Sequence, residues 1–341
     1  MHPPMKDNRK VVYWLLTGCF LVFIMVVVGG ITRLTNSGLS MSEYKLVTDI
    51  IPPMNDQEWE EAFDVYKQYP EYQKLHFHFD LEDFKYIYFW EWLHRLLGRF
   101  IGVVFIVPFL YFLFTKQLSK PTIKKSLILF GLGALQGFLG WWMVKSGLVD
   151  RPSVSHYRLA IHLCAAFLTF AYALWVALDL IYPKRQSINK KFRNLIRIGL
   201  GVLILQIIWG AFVAGLEAGL LHNTWPLMND GKLIHETVWI EQNPLWRNFI
   251  EGKSGVQFVH RYLAYAVVAV ILYIWYRSRQ ITLTVLQQRA INALVVLVFV
   301  QFLLGVLTLI YAVPLWLGVA HQVGAFFLLG IMTFTLHRFT R

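Results

Sequence analysis

The chain alternates between long apolar segments and shorter polar ones. An α-helix needs roughly 20 mainly apolar residues to cross a hydrocarbon core of about 30 Å. Segments of that length occur at 12–31, 88–114, 126–145, 157–182, 195–215, 256–276, 290–311 and 315–336. The pattern predicts an all-α integral membrane protein with eight transmembrane helices, and an even number of spans places both termini on the same side.

The distribution of charge predicts the orientation of these helices. With 57% hydrophobic and 15% charged residues, the composition is typical of a protein whose solvent is the bilayer. The net charge of +12 does not indicate nucleic acid binding, because the basic residues punctuate apolar segments instead of clustering on a soluble module. They are concentrated in loops that share a side with the termini, and the positive-inside rule predicts that this side is cytoplasmic.

Two long polar loops, 32–87 and 216–255, lie on the opposite, outer side of the predicted topology. The first loop contains a predicted helix that begins after Asn55, with aromatic residues at helical spacing, namely Trp59, Phe63 and Tyr66. We expect both loops to form lids or docking surfaces over the outer ends of the helices.

The sequence contains an internal repeat. Segment 91–95, Glu-Trp-Leu-His-Arg, matches Gln-Phe-Val-His-Arg at 257–261. At a similar offset the same residue types recur in pairs, Gln136 with Gln301, Gly140 with Gly305 and His162 with His321. Each copy holds four predicted helices and ends on the cytoplasmic side, so the copies are parallel and related by a pseudo-two-fold axis along the membrane normal. We predict two tandem four-helix bundles, residues 1–190 and 191–341.

Four of the 11 histidines, His94, His162, His260 and His321, lie in the outer parts of even-numbered predicted spans. Within each half, these two helices run in the same direction, so a haem between them would receive one axial imidazole from each. For a single histidine, a neutral imidazole that hydrogen-bonds a neighbouring helix is an equally good interpretation. Four equivalent positions favour haem ligation by the pairs His94 with His162 and His260 with His321.

Other metal sites fit the pattern less well. A zinc or copper site needs further ligands at the same depth. A di-iron carboxylate site needs a second Glu-x-x-His pair, but Gln257 stands where the first half has Glu91. Because Glu91 lies one turn from His94 on the same face, this difference indicates a catalytic first half and a redox relay in the second. The alternative role for Glu91 is a salt bridge with Arg95, or that of an acid that snorkels to the membrane interface.

Five basic residues lie at the outer ends of the predicted spans and are candidate contacts for haem propionates, namely Arg33, Arg95, Lys145, Arg158 and Arg261. Anchoring to lipid phosphates is the alternative for each of them. The two cysteines, Cys19 and Cys164, both lie in apolar segments, so the sequence offers no disulfide in an outer loop.

Several ordered motifs resemble those of the haem A synthase family, which serves cytochrome oxidase assembly. They are Gly-Gly-Ile-Thr-Arg-Leu-Thr-Asn-Ser-Gly-Leu-Ser-Met at 29–41, the run 91–99, Leu-Gly-Trp-Trp-Met-Val-Lys-Ser-Gly-Leu at 139–148, Tyr-Arg-Leu-Ala-Ile-His-Leu at 157–163, the motifs within 214–228, and the segments around His260 and His321. The resemblance extends along nearly the whole chain. It corresponds to the branch of the family that lacks a cysteine pair in the first outer loop.

This resemblance implies a function and a set of site residues. The family oxidises the C8 methyl of haem O, the product of haem O synthase, to the formyl group of haem A through successive hydroxylations. Carried over by position, His94 and His162 would flank the substrate haem, Glu91 would be the essential acid, and His260 and His321 would ligate haem b. The enzyme would lie in the cell inner membrane with its haem sites toward the outer side, and would supply the assembly of cytochrome c oxidase.

Two other functions are compatible with a haem-binding membrane protein. A quinone-linked diheme b-type electron-transfer protein predicts symmetric bis-histidine sites, and a haem transporter or chaperone predicts labile ligation and helices broken near the middle of the membrane. The sequence identifies neither the electron acceptor nor the oxygen source, and it leaves open whether the chain forms a homo-oligomer.

Overall fold

The computed structural model describes residues 8–41, 50–147, 152–183 and 190–340. Its α-helices are α1 (Arg9–Leu34), α2 (Asp56–Tyr66), α3 (Leu81–Phe114), α4 (Lys120–Val144), α5 (His156–Ile181), α6 (Lys190–Gly215), α7 (Lys253–Ser278), α8 (Val285–Ile310) and α9 (Leu315–Arg338). All of them except α2 are long and apolar enough to cross a membrane. Within the described ranges the chain has no β-strand, only one bridge between Met228 and Lys232. The prediction of an all-α protein with eight transmembrane helices is confirmed.

Polar caps extend two of these helices beyond their apolar runs. Helix α3 begins at Leu81 rather than at 88, because Asp80 and Asp83 form a reciprocal capping box. Helix α4 begins at Lys120 rather than at 126, where the Ser119 side chain accepts a hydrogen bond from the Thr122 amide. The first outer loop is therefore shorter than the predicted 32–87.

The long helices form two contact rings. Helices α1, α3, α4 and α5 contact one another in a closed ring, and α6, α7, α8 and α9 form a second ring. Contacts of α1 and α5 with α9, and of α5 with α6, join the two sets. These contacts support the proposed division into tandem four-helix bundles at 190/191, which remains a proposal.

An apolar core fills the end of the bundle that holds the chain termini. Buried aromatic and aliphatic side chains from both rings meet there, including Trp14, Phe170, Ile196, Phe326 and Met332. The Phe170 and Phe326 rings stack with centroids 3.8 Å apart. The four candidate histidines lie beyond this core, nearer the opposite end of their helices, and the core fixes the helices that carry them.

Polar contacts also join the rings at the terminal end. Asp179 of α5 accepts from Lys125 Nζ of α4 at 2.5 Å and lies 2.9 Å from His337 Nε2 of α9. His337 lies just beyond the last predicted span, 315–336. It is the fully buried penultimate residue of α9.

Two caps cover the other end of the bundle. The predicted helix after Asn55 is confirmed as α2, and its Phe63 and Tyr66 pack on Phe84 and Ile87 of α3. A π-helical turn at Tyr72–His76 follows it. The second cap contains 3₁₀ turns at Ala218–Leu220, Glu236–Trp239 and Leu245–Phe249, which contact α7.

Candidate functional site

The second half brings two histidines face to face. His260 of α7 and His321 of α9 have ring centroids 6.3 Å apart and ring planes at 89°. Metal–nitrogen bonds of about 2 Å on each side, together with the half-width of each ring, place two axial imidazoles of one iron about 6 Å apart. The spacing of this pair therefore fits the two axial positions of one haem iron.

The first half places its pair on the equivalent helices. His94 lies on α3 and His162 on α5, and the two side chains are close enough to interact electrostatically. Both are accessible only in part. The structure thus combines the same two pairs of histidines that the sequence pattern predicts, one in each ring of helices.

Each of the four imidazoles packs against a glycine of the preceding span. A Cβ added at these glycines would approach the ring to 3.5 Å at Gly29, 3.2 Å at Gly140, 3.0 Å at Gly210 and 2.8 Å at Gly305. Gly29 packs on His94, Gly140 on His162, Gly210 on His260 and Gly305 on His321. Because glycine has no side chain, the neighbouring backbone can approach each imidazole ring closely.

Three of the four imidazoles also have a glutamine neighbour, four residues before the glycine. Gln136 Nε2 lies 3.2 Å from His162 Nδ1, and Gln301 Nε2 lies 3.2 Å from His321 Nδ1. Gln206 Nε2 lies 3.5 Å from His260 Nε2. The internal repeat pairs Gln136 with Gln301 but indicates no role for them, and it does not single out Gln206, whose spacing from Gly210 is the same.

Glu91 is buried and fully hydrogen-bonded at the end of the first half that lies opposite the chain termini. Its Oε1 accepts from the Arg95 guanidinium at 2.6 Å, and its Oε2 accepts from Ser40 Oγ at 2.8 Å and the Met41 amide at 2.9 Å. Arg95 also donates to the Met41 carbonyl at 2.8 Å. The salt bridge considered as the alternative for Glu91 is therefore present. The Glu91 and Arg95 side chains hold the start of the first outer loop on α3.

Gln257 has the corresponding place in the second half. Its amide nitrogen donates to the carbonyls of Ala218 and Leu221, at the start of the second outer loop. Both positions thus anchor the loop that follows the preceding helix, but Glu91 accepts hydrogen bonds where Gln257 donates them. This role could not be predicted from the sequence, because the loop partners have no recognisable spacing from either residue.

The five candidate propionate contacts fall into two groups. Arg33 donates to the Ala214 carbonyl at 2.7 Å, Arg95 is paired with Glu91, and Arg261 donates to loop carbonyls that include Thr224 at 2.7 Å. These three bind the caps or a neighbouring helix. Lys145 and Arg158 instead line a cavity of about 590 Å³ between the C-terminal ends of α4 and α6 and the N-terminal end of α5, with Trp141, Trp142 and His156.

Among the residues that the structure describes, each histidine pair stands without further metal-ligand side chains. In the part of the chain that the structure describes, no group of three or more His, Cys, Asp or Glu side chains is placed to hold a metal ion. Cys19 and Cys164 are free thiols. Two imidazoles alone suit an iron whose other four ligands come from a porphyrin.

Comparisons with known proteins agree with the resemblance seen in the motifs. The family model described as cytochrome oxidase assembly protein matches residues 12–333. A haem A synthase of Flavobacterium johnsoniae is 63% identical over 340 residues, covering 98% of this chain and 99% of the relative. The chain belongs to the haem A synthase family.

More distant haem A synthases also match along the whole chain. The protein of Flavobacterium psychrophilum is 60% identical over 339 residues, covering 99% of this chain and 100% of the relative. That of Parvibaculum lavamentivorans is 43% identical over 335 residues, covering 98% and 96%. Family membership therefore applies to both helix rings and both caps, not to one half alone.

Proposed function

We propose that this protein is a haem A synthase, an oxidoreductase that converts the C8 methyl of haem O to the formyl group of haem A through successive hydroxylations. The observation that supports this most strongly is membership of the family over almost the full length of both chains. The product would serve the assembly of cytochrome c oxidase, and haem O synthase would supply the substrate.

The two histidine pairs take different haems in this proposal. His94 and His162 would bind haem O as substrate, while His260 and His321 would hold haem b. The 6.3 Å spacing of the second pair supports bis-histidine ligation there. When bound, haem b supplies a relay for electrons removed from the substrate. The polypeptide orients both groups and covers them with the outer caps.

Glu91 is the proposed acidic residue of the substrate half. It lies one turn from His94 on the same face of α3, and Arg95 and the loop donors fix its carboxylate. A fixed negative charge near the reacting methyl would stabilise developing positive charge or accept a proton from water. The second half has Gln257, which cannot accept a proton in this way.

Basic residues near the ends of the helices would bind the propionate groups of the haems. Lys145 and Arg158 line the cavity on the His162 side and would contact haem propionates there. Arg33, Arg95 and Arg261 would act on the haems through the caps that they hold, or contact a propionate directly. We further propose that the protein lies in the cell inner membrane, with both termini cytoplasmic and the haem sites toward the outer side.

Two observations weigh against the alternative functions. A diheme electron carrier predicts equivalent sites, whereas Glu91 and Gln257 make the halves chemically different. A haem transporter predicts spans broken near the middle of the membrane, whereas each of the eight candidate spans is one continuous helix.

The proposed function is tested by identifying the haems that the protein binds and makes. The chain is expressed in a bacterium that makes haem O but lacks its own haem A-forming enzyme, and the extracted pigments are identified by mass spectrometry. We expect haem A in the membranes and haem B in the purified protein. Membranes with haem O but no haem A, or a purified protein without haem, would overturn the proposal.

A further inference from the structure

The four candidate ligands repeat one local unit, but one copy of the unit is incomplete. In three copies, a glutamine stands four residues before the glycine on which the imidazole packs. In the copy around His94, the glycine is Gly29 and the residue four positions before it is Met25. Met25 lies against Gly98 of α3, one turn along from His94, so its side chain bridges the same two helices that a glutamine would bridge.

The glutamines hold the histidines in place from the neighbouring helix. Gln136 and Gln301 each donate to the backbone carbonyl of their histidine at 2.9 Å, in addition to lying 3.2 Å from its Nδ1. An imidazole that binds iron through Nε2 carries its proton on Nδ1, and an acceptor for that proton fixes the ring and strengthens the bond to the metal.

The glutamines beside His162 and His321 have such an acceptor available. The amide oxygens of Gln136 and Gln301 are buried without a hydrogen-bond partner among the described residues. Rotation of either amide, whose two ends are nearly isosteric, would exchange its donation to the histidine carbonyl for acceptance of the Nδ1 proton of an iron-bound imidazole. The amide of Gln206 instead lies 3.5 Å from Nε2 of His260. The thioether of Met25 is only a weak acceptor.

The ring of His94 is also oriented differently. His162, His260 and His321 each present Cε1 to their glycine, whereas His94 presents its Nε2 and Cδ2 edge to Gly29. Within the described ranges, no side chain hydrogen-bonds the His94 imidazole. Two independent features, the missing glutamine and the rotated ring, thus distinguish His94 from the other three histidines.

We propose that His94 is the exchangeable axial ligand of the haem in the first half, and that His162 is its permanent ligand. This inference rests on the proposed function, because it concerns the haem that the first half takes as substrate. Release of His94 opens an iron coordination position on the side that carries Glu91, which lies one turn from His94 on the same face of α3. The second half, with a glutamine at both ligands, keeps its iron six-coordinate.

Carbon monoxide binding tests this proposal without relying on turnover. The full-length protein is purified from cells that supply haem O, reduced, and exposed to CO, which binds only where an axial position opens. We expect one CO-reactive haem per chain. Met25→Gln should lower its CO affinity at least 10-fold, within the range of second-shell effects on metal sites. Met25→Leu, which keeps an apolar side chain, should leave the affinity unchanged.

The reciprocal variant addresses the second half. Gln301→Met, which removes the amide beside Nδ1 of His321, should create a second CO-reactive haem while the first remains as in the wild type. CO affinities that are equal in the wild type and Met25→Gln, or a Gln301→Met protein with no new CO-reactive haem, would overturn the proposal. Haem A formation by the wild type is measured in parallel. Its absence would contradict the proposed function, whereas haem A formation combined with either of those CO results would contradict the role of His94 alone.

Discussion

At the residue scale, the Glu91 and Gln257 pair shows how one position can combine structure and chemistry. Both side chains tie an outer loop to the helix that carries a histidine. The loop of the first half presents donors, so a carboxylate is needed there, and Arg95 balances its charge. A substitution of Glu91 therefore changes the loop as well as the charge, and its test needs variants that separate the two effects.

Glu91→Ala should abolish haem A formation, so that haem O accumulates while haem b remains bound through His260 and His321. Glu91→Gln keeps the size of the side chain and should also lose most activity, because the negative charge is gone. Ser40→Ala removes one donor to Glu91 but keeps its charge, and should retain activity. Haem composition measured by mass spectrometry checks all three. Normal haem A output from Glu91→Gln would exclude a role for the charge.

A second buried carboxyl group, that of Glu71, makes the first cap (residues 56–80) sensitive to pH. Tyr66 donates a hydrogen bond to Glu71 at 2.9 Å and lies 2.7 Å from His76 Nδ1. The pKa of Glu71 is raised to about 8, chiefly by burial and also by the charge of Glu91, which together outweigh the lowering by the Tyr66 hydroxyl and Arg33. Because this pKa is raised in the folded state, protonated Glu71 stabilises the folded cap. This stabilisation is complete below the ordinary pKa of glutamate and is lost as the pH rises through about 8.

We therefore expect the first cap to open more often at pH 9 than at pH 6. Hydrogen exchange of segment 56–80 should accelerate over that interval in the wild type. Glu71→Gln imitates the protonated acid and should remove most of the acceleration beyond the intrinsic pH effect. Glu60→Gln changes an exposed glutamate of the same cap and serves as the control. Equal acceleration in both variants would show that another group controls the cap.

At the element scale, helices were easier to predict than the contacts between them. The length of the apolar runs predicted eight spans, since a helix is one of the few structures in which such a run can cross a membrane. Helical spacing of aromatic residues predicted the helix after Asn55. It placed the starts of α3 and α4 too late, because the capping residues Asp80 and Ser119 extend helices into polar sequence. The close approach of glycines to the imidazoles depends on how helices pack, which a local pattern does not contain.

This close approach yields a prediction with a control in the same helix. In Gly210→Ala, the new methyl would lie 3.0 Å from His260 Cε1 and displace the ring, so haem b retention should fall by roughly 10-fold, as for second-shell changes at metal sites. In Gly201→Ala, the methyl meets no atom within 4 Å, and haem retention should not change. The haem-to-protein ratio after purification checks both, and equal ratios would show that the ring can move without cost.

At the scale of the whole molecule, the repeat and the histidine pairs could be predicted, but the joints between the halves could not. Gln322 of α9 donates to the Val26 carbonyl of α1 at 2.8 Å, and His337 meets Asp179. These partners are separated by most of the chain or lie at span ends that hydropathy does not define. A repeat specifies what the two halves share, whereas the contacts between them depend on residues that differ.

The contact of Asp179 with Lys125 and His337 predicts a large loss of stability when it is removed. Asp179→Ala deletes the acceptor of a fully buried imidazole and of an ammonium group, and should lower the free energy of unfolding by about 3 kcal/mol. Asp64→Ala breaks an exposed pair with Lys67 and should cost less than about 1 kcal/mol. Thermal unfolding of the purified protein in detergent, followed by loss of the haem absorption, measures both. Equal melting temperatures for the two variants would mean that the apolar core alone holds the rings together.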